Sequence, residues 1–136
     1  MYTKAAEGGH PDAQYRLAWA YDHGELDLLT DKKEALKWYR QAAQRGHVAA
    51  QWRLGVAYED GDLDLAIDLV AALMWFKKAA QRGNAIAQRR LAGAYEYGEL
   101  TLAINLEAAR TWYHEAAEGG ETLAQHQLFW DYTDGT

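Results

Sequence analysis

The chain has 136 residues, a net charge of −6 at pH 7, no cysteine and a single proline. The lack of cysteine excludes a disulfide framework and a thiolate metal site. The negative charge argues against nucleic acid as a partner and favours a basic protein or peptide. No apolar run approaches the roughly 18 residues that a membrane span needs, so no membrane span is expected. The composition leaves the cellular compartment open.

The sequence repeats with a period of 37 residues, most clearly at Trp38, Trp75 and Trp112. The segment 37–46 (KWYRQAAQRG) returns at 74–83 (MWFKKAAQRG) and at 111–120 (TWYHEAAEGG), and a shortened copy (MYTKAAEGG) occupies 1–9. A period of this size is typical of solenoid proteins. We therefore expect one domain, 1–136, made of a partial repeat 1–9, full repeats 10–46, 47–83 and 84–120, and a partial repeat 121–136.

The first helix of each repeat, helix A, is predicted over 11–23, 48–60, 85–97 and 122–133. In the first copy, Ala13, Leu17 and Tyr21 recur at the spacing of one helix face, which we expect to be buried. His10 and His47 occupy one repeat position, directly before helix A, and are predicted to cap it.

The second helix, helix B, is predicted over 32–45, 69–82 and 106–119. It is preceded by residues that favour the N-cap position, namely Asp31, Asp68 and Asn105. It is followed by glycines expected in the left-handed conformation, namely Gly46, Gly83 and Gly120. The tryptophans at 38, 75 and 112 share one position of helix B and are predicted to anchor the core between repeats.

Helices A and B are joined by a loop in which leucines alternate with acids, as in Gly61-Asp62-Leu63-Asp64-Leu65. We expect the leucines to enter the core and the acids to face water. The Asp-x-Asp spacing also occurs in calcium loops, but the glycine and the bidentate glutamate of an EF-hand are not at the required offsets. No metal site is therefore predicted.

The full motif reads Ala-x3-Leu-Gly/Ala-x2-Tyr-x2-Gly, a loop, then Asp-x3-Ala-x2-Trp-Tyr-x2-Ala-Ala-x2-Gly. It resembles the Sel-1-like repeat, a branch of the tetratricopeptide superfamily, over essentially the whole chain. Only the loop departs, being longer than the usual Gly-x-Gly-Val. The resemblance implies an all-α fold, an α-α superhelix (right-handed solenoid) of antiparallel helix pairs, with about three and a half repeats. It also implies protein binding, as an adaptor, a scaffold, or a secreted or periplasmic binding protein of bacteria.

In tetratricopeptide-like stacks helix A lines the concave side, so its face opposite the core is the predicted binding groove. The candidate partner-binding residues are Tyr15, Trp19, Asp22, His23, Trp52, Val56, Glu59, Asp60, Arg89, Glu96, Tyr97, His126 and Trp130. Aromatic residues on an outward face are typical of binding hot spots. The alternative is that Trp19 and Trp52 pack against a loop or a terminal helix.

Arg16, Arg53 and Arg90 repeat at the edge of helix A. They could bind an acidic partner, or they could form structural salt bridges with acids of a neighbouring helix. We favour the salt bridges.

The sequence holds no catalytic motif: it lacks serine altogether, and it lacks His-Glu-x-x-His and a phosphate-binding glycine loop. We expect neither an enzyme nor a cofactor. Two alternatives to a scaffold stay open, a stand-alone inhibitor or immunity protein that neutralises a bacterial toxic effector, and a trimmed or engineered repeat fragment. Because no helix B follows the last helix A, Phe129, Trp130 and Tyr132 lack a cover, and we expect self-association or fraying there.

Overall fold

The computed structural model of the protein describes residues 2–25 and 28–119, and all regular secondary structure in that part is helical. Its seven helices are α1 (Tyr2–Glu7), α2 (Pro11–His23), α3 (Lys32–Gln44), α4 (Val48–Asp60), α5 (Leu69–Gln81), α6 (Ala85–Tyr97) and α7 (Leu106–Glu118). The A helices α2, α4 and α6 have the predicted bounds. The B helices α3, α5 and α7 begin as predicted and end one residue earlier. The predicted helix 122–133 lies outside the described residues.

Side chains at the predicted positions cap both kinds of helix. His10, His47 and Asn84 stand before α2, α4 and α6, and each accepts a hydrogen bond from the amide three residues on, at 3.4, 3.2 and 2.8 Å. First-turn amides of the B helices donate at 3.0 to 3.1 Å to the predicted caps Asp31, Asp68 and Asn105. These bonds satisfy amides that have no partner inside the helix, so they fix where each helix begins.

Glycines in the left-handed conformation follow two of the B helices. Gly46 has a φ of 92°, and the amides of Gly46 and His47 donate to Ala43 O and Ala42 O, both at 3.0 Å. This is a Schellman arrangement, in which two orphan carbonyls at the helix end are satisfied. Gly83 repeats it with a φ of 96°. The prediction is confirmed at both positions, and Gly120 lies outside the described residues.

The chain divides into two compact units, residues 1–75 and 76–136. In the first unit, α2, α3 and α4 surround a core in which small side chains alternate with large ones. Tyr39, Leu54 and Leu63 are fully buried, and alanines such as Ala35 and Ala50 fill the close approaches between helices. The predicted helix A face is buried at Ala13 and Leu17, whereas Tyr21 is only partly buried.

The predicted tryptophan anchors behave differently in the two units. Trp38 and Trp75 are 6% and 7% exposed and belong to the core of the first unit. In the second unit, α6 and α7 pack around Ala92, Ala109 and Tyr113, with Trp112 only partly buried against them. The core prediction is therefore confirmed for Trp38 and Trp75 and holds only partly for Trp112.

The loops after α4 and α6 each place two consecutive non-glycine residues in the left-handed region. Leu63 and Asp64 have φ values of 54° and 61°, and Leu100 and Thr101 have 53° and 67°. Side chains other than glycine reach this region at a cost of about 1–2 kcal/mol per residue. The burial of Leu63 and Leu100, 0% and 3% exposed, offsets that cost and confirms that these leucines enter the core.

Candidate functional site

Two polar contacts tie α2 to α4. Near the start of both helices, Nε2 of His47 lies 3.1 Å from Oδ1 of Asp12, and the ring of His47 stacks on Tyr15 with centroids 4.5 Å apart. Near the end of α2, Nε of Arg53 lies 3.0 Å from Oδ2 of Asp22. Both contacts follow the same direction along the two helices, so α2 and α4 run side by side in parallel.

His47 holds its position as a neutral ring. Its Nδ1 accepts the amide hydrogen of Ala50, so its proton sits on Nε2 and is donated to Asp12. Burial lowers the pKa of His47, although the carboxylate of Asp12 pulls in the opposite direction. The same side chain thus caps α4 and fastens it to α2.

Asp22, predicted to lie on the binding surface, is instead a buried centre of charge, with its side chain 3% exposed. Its carboxylate accepts hydrogen bonds from Lys32 Nζ at 2.6 Å, Arg53 Nε at 3.0 Å and the Tyr39 hydroxyl at 3.0 Å. Burial by itself would raise the pKa of Asp22, but the bonds from Lys32 and Arg53 outweigh it and hold the pKa at about 2. A carboxylate with three internal donors has nothing to offer a partner, so Asp22 is removed from the predicted surface.

The network continues into the loop that follows α4. Nη2 of Arg53 donates to Oδ2 of Asp62 at 2.7 Å, and this bond lowers the pKa of Asp62. The Asp62 side chain is 42% exposed, as predicted for a loop acid, and it is also paired with an arginine of the preceding helix. Arg90 makes the corresponding bond to Glu99 at 2.9 Å. The predicted salt bridge to an acid of a neighbouring helix is confirmed for Arg53, through Asp22, whereas Glu99 belongs to the loop after the helix of Arg90 itself.

Trp19 and His23 form an aromatic pair on α2. Their rings stack with centroids 4.1 Å apart, and Nδ1 of His23 lies 3.0 Å from the carbonyl oxygen of Trp19. The guanidinium of Arg16 lies 5.1 Å from the centre of the Trp19 ring. Trp19 is partly exposed and His23 is exposed. The indole thus contacts both a cation and an imidazole, with part of its surface open to water.

Further predicted residues lie on α4. Trp52, Val56 and Glu59 are partly exposed, and Asp60 is exposed. We name the set of accessible residues on α2 and α4 the A-helix surface; it comprises Trp19, His23, Trp52, Val56, Glu59 and Asp60. Tyr15 is partly buried and packs on His47 and on Tyr39, whose ring centroid is 5.8 Å away. Its ring therefore belongs to the packing under the helices rather than to the A-helix surface.

The second unit carries the corresponding residues on α6. Tyr97 is 65% exposed. Arg89 and Glu96 are partly buried, and Glu96 Oε1 accepts a hydrogen bond from the Tyr113 hydroxyl at 2.7 Å. Burial and this carboxylate raise the pKa of Tyr113. The predicted residues His126 and Trp130, with the predicted uncovered terminal helix, lie outside the described residues.

Three buried glutamines were missed by the sequence analysis. Gln14, Gln51 and Gln88 are 1%, 3% and 5% exposed. Each donates its amide to a carbonyl near the end of the helix before it, at 3.0 to 3.1 Å. The signal was available, because glutamine recurs at 14, 51, 88 and 125 with the repeat period. A polar residue repeated at one position indicates a structural hydrogen bond.

Among residues 2–25 and 28–119, no cluster of three or more His, Cys, Asp or Glu side chains could hold a metal ion. Within the same part of the chain, every helix is too short or too polar to traverse a lipid bilayer.

These features define an all-α protein of paired helices. Its core repeats along the chain, and buried hydrogen bonds and ion pairs join its helices. The chain belongs to the Sel1 repeat family, whose repeat matches residues 1–10, 11–47, 48–84 and 85–121. Proteins of this family are generally protein–protein interaction modules and typically non-catalytic scaffolds. No curated protein matches the chain.

Two solved structures resemble the chain closely. The first is c5321, a protective antigen of uropathogenic Escherichia coli with an SLR fold, which is 34% identical with a TM-score of 0.88 over 98% of this chain. This chain spans 28% of the length of that protein. The second is a Sel1 repeat protein from Oxalobacter formigenes, 32% identical with a TM-score of 0.87 over 93% of each chain. The predicted fold class, an all-α repeat superhelix, is confirmed.

Proposed function

We propose that this chain is a protein-binding module that holds a basic, partly apolar segment of a partner protein on the A-helix surface. Trp19 and Trp52 are the apolar anchors, and Glu59 and Asp60 supply negative charge at the end of α4. By their repeat register, Arg89, Glu96 and Tyr97 of α6, and His126 and Trp130 beyond it, are proposed for the same role.

The observation that carries the proposal is the partial exposure of two tryptophans at positions that the repeat does not conserve within the chain. The position of Trp19 holds Val56, Gly93 and Trp130 in later repeats, and the position of Trp52 holds Tyr15, Arg89 and His126 in the other repeats. The fold therefore does not need tryptophan there. Tryptophan is one of the residue types most enriched among binding hot spots.

The two helices that carry the A-helix surface are already joined to each other before a partner binds, and this supports tight binding. Asp22 and Arg53 join α2 to α4, and His47 joins the two helices again near their starts. A partner meeting a pre-formed surface loses less binding free energy to the ordering of loops and side chains. The net charge of −6 favours basic partners, chiefly through the association rate.

The test is affinity capture with wild type, with Trp19→Ala/Trp52→Ala, and with a control that removes two exposed leucines elsewhere, Leu29→Ala/Leu106→Ala. Leu29 and Leu106 are 89% and 64% exposed. We expect the tryptophan variant to lose a partner that the control retains, with the thermal unfolding curve kept by both. Capture that survives in the tryptophan variant would place binding elsewhere, and loss of folding would show that the tryptophans are core.

Titration of the captured partner separates the two binding roles left open by the sequence. An adaptor can bind in the micromolar range. A stand-alone inhibitor of a toxic effector requires nanomolar or tighter binding, with an association rate that falls steeply as salt is raised. The measurement is the association rate at several ionic strengths.

A further inference from the structure

A cavity opens on the second unit between the end of α5, the start of α6 and the middle of α7. Its volume is about 290 Å³, which is below the roughly 300–1,000 Å³ of sites for drug-sized ligands and suits a single side chain. Ala80 and Gln88 are buried in its lining, whereas Gly83 and Glu115 are exposed. The cavity is therefore closed on one side and reaches water on the other.

The cavity lies at the third of three equivalent glycines, Gly9, Gly46 and Gly83, which join each helix B to the next helix A. We call these places the first, second and third junctions. At the first junction, a β-carbon on Gly9 would lie only 2.8 Å from Cζ of Arg45, so the guanidinium lies against the Gly9 backbone. A β-carbon on Gly83 would meet no atom of the described residues within 4 Å. The third junction is open where an arginine covers the first.

The sequence explains this difference between the junctions. Arg45 and Arg82 hold one repeat position, and Gly119 holds the same position in the next repeat. The backbone does not require a glycine there, because φ and ψ are −80° and 1° at Gly119 and −88° and 6° at Arg45. Residues 119–136 contain neither arginine nor lysine, so they supply no cation in its place.

The tryptophan of the cavity lacks the cation that its counterpart has. At the first junction, Nζ of Lys37 lies 4.8 Å from the centre of the Trp38 ring, and Trp38 is 6% exposed. Thr111 and Trp112 hold these two positions at the third junction, where Trp112 is partly exposed in the lining of the cavity. Threonine carries no charge. Because indole is the aromatic ring that attracts cations most strongly, Trp112 favours a cationic group in the cavity.

Hydrogen-bond acceptors in the lining favour a cation as well. Nε2 of Gln88 donates to Ala80 O at 3.0 Å, and Oε1 of Gln88 receives no hydrogen bond from the described residues. The same oxygen of the two equivalent buried glutamines is likewise without a donor, so this acceptor is common to the junctions. Glu115 is particular to the third junction, because its position holds Gln41 at the first and Lys78 at the second. Among the described residues that line the cavity, Glu115 is the only charged one.

Charges of both signs surround the cavity without lining it. The cations are Lys77, Lys78, Arg82, Arg89, Arg90 and Arg110, the acids are Glu107 and Glu118, and His114 is titratable. Cations nearby do not exclude a guanidinium, because Arg45 lies at the first junction although Lys4 and Lys37 belong to the helices that form it. Within the described lining, an occupant therefore contacts the carboxylate of Glu115 and no cation.

We propose that the third junction binds an arginine side chain of a partner protein. Its guanidinium takes the place that Arg45 occupies at the first junction, against Gly83, with one face on Trp112 and its charge paired with Glu115. Arginine fits better than lysine because the planar guanidinium stacks on aromatic rings and forms two parallel hydrogen bonds with a carboxylate. The site is separate from the A-helix surface and does not rest on the function proposed for that surface.

Charge and access favour a protein over two other sources of a guanidinium. The cavity reaches water at Gly83 and Glu115, so an arginine side chain can enter while its backbone stays outside. Free arginine would also bring a carboxylate, for which the described lining has no cation. Two copies of this chain, each with a net charge of −6, repel each other, whereas a basic protein is attracted.

The probe is the acetylated and amidated peptide Gly-Arg-Gly. It is compared with Gly-Lys-Gly and with Gly-citrulline-Gly, in which a neutral urea group replaces the guanidinium. Nuclear magnetic resonance of the isotope-labelled full chain follows the indole N–H of Trp112 and the amide of Gly83. We expect the arginine peptide to shift both signals saturably. The lysine peptide should bind more weakly, and the citrulline peptide about tenfold more weakly, because a charged hydrogen bond is lost.

Two variants install residue types that the first junction already carries. Glu115→Gln matches Gln41 and should raise the dissociation constant of the arginine peptide about tenfold. Gly119→Arg matches Arg45, supplies the guanidinium from within the chain, and should abolish binding of the peptide. Glu118→Gln is the matched control, because Glu118 is an exposed acid of the same helix outside the lining, and it should leave binding unchanged.

Trp19→Ala/Trp52→Ala should bind the arginine peptide as wild type does, which keeps this site distinct from the A-helix surface. The proposal is overturned if no saturable shift occurs, if the lysine or citrulline peptide binds as well as the arginine peptide, or if Glu115→Gln binds as wild type does.

Two further results would assign the cavity to another occupant and also overturn the proposal. One is tighter binding of free arginine than of the peptide, and the other is a dimer in analytical ultracentrifugation that Glu115→Gln disperses. A β-carbon on Gly119 would lie 3.2 Å from that of Ala85, which is a tight contact. If Gly119→Arg does not fold by circular dichroism, Glu115→Gln and the three peptides decide.

Discussion

At the scale of single residues, an acid near the end of helix A is paired with a tyrosine on the helix B that follows. Asp22 accepts from the Tyr39 hydroxyl at 3.0 Å, and Glu96 accepts from the Tyr113 hydroxyl at 2.7 Å. The pairing fastens α2 to α3 and α6 to α7. Asp22 also pairs with Lys32 and Arg53, so its carboxylate joins three other residues of the first unit.

Replacement of Asp22 by asparagine should lower the free energy of unfolding by about 3 kcal/mol, since it leaves two cations without their buried partner. Urea unfolding followed by circular dichroism measures the change. Asp60→Asn is the matched control, because Asp60 is exposed on the equivalent kind of helix, and it should change the value by less than about 0.5 kcal/mol. A loss below about 1 kcal/mol for Asp22→Asn would mean that the network contributes little net stability.

The same carboxylate predicts how stability depends on pH. The pKa of Asp22 falls from 3.8 to about 2 on folding. A depressed folded pKa stabilises the protein above the unfolded pKa, and that contribution is lost as pH falls through the folded pKa. We expect the wild type to lose stability between about pH 4 and pH 2 more steeply than Asp22→Asn. Unfolding curves at stepped acidic pH measure this, and parallel profiles would contradict it.

At the scale of the helices and loops, local chemistry decides the helix bounds and tertiary burial decides the loops. Caps at Asp31, Asp68 and Asn105 and left-handed glycines after α3 and α5 fix the ends of helices by short-range bonds. The conformation of the loop after α4 has a different cause. There, the backbone of Leu63 keeps its left-handed conformation because the side chain is fully buried.

Leu63→Ala should therefore cost about 2–5 kcal/mol in unfolding free energy, because it removes the burial that offsets a left-handed backbone and leaves a cavity. Chemical denaturation measures the cost. Leu29→Ala, in the equivalent loop of the first repeat, is the control, since Leu29 is 89% exposed and its loss should be nearly neutral. Equal small effects of the two changes would show that the leucine does not hold the loop.

At the scale of the whole molecule, identical positions hold the shape, and positions that differ between repeats carry the candidate partner contacts. Trp38 and Trp75 share one repeat position and are buried, whereas the positions of Trp19 and Trp52 vary between repeats and both side chains are partly exposed. Repeat proteins derive stability from contacts within and between neighbouring repeats. A recurring buried tryptophan should therefore matter more for folding than a variable, partly exposed one.

Trp75→Ala should lower the free energy of unfolding by about 3–5 kcal/mol, as expected for the loss of a buried aromatic side chain. Trp52→Ala should cost clearly less, because its side chain is partly exposed. Thermal and urea unfolding of both variants measure the difference. If Trp52→Ala proved as destabilising as Trp75→Ala, Trp52 would belong to the core and the A-helix surface would lose one of its two anchors.

The sequence by itself determined the helices, their caps, the repeat register and the recurring core, because each depends on residues a few positions apart or on the period. The bounds of α2, α4 and α6 followed from the caps and from the spacing of residues such as Ala13 and Leu17. The family resemblance followed from the same repeated positions.

Only the tertiary structure decided that Asp22 is buried and that the backbone of Leu63 is left-handed. The outward spacing of Asp22 on α2 favoured a surface residue, but Arg53 reaches it from 31 positions away in the sequence, and Lys32 and Tyr39 close around it. Likewise, no local pattern predicts a left-handed leucine, which is held there by burial against α2, α3 and α4. Contacts between distant residues set both outcomes, because charge pairing and burial depend on what the fold brings together.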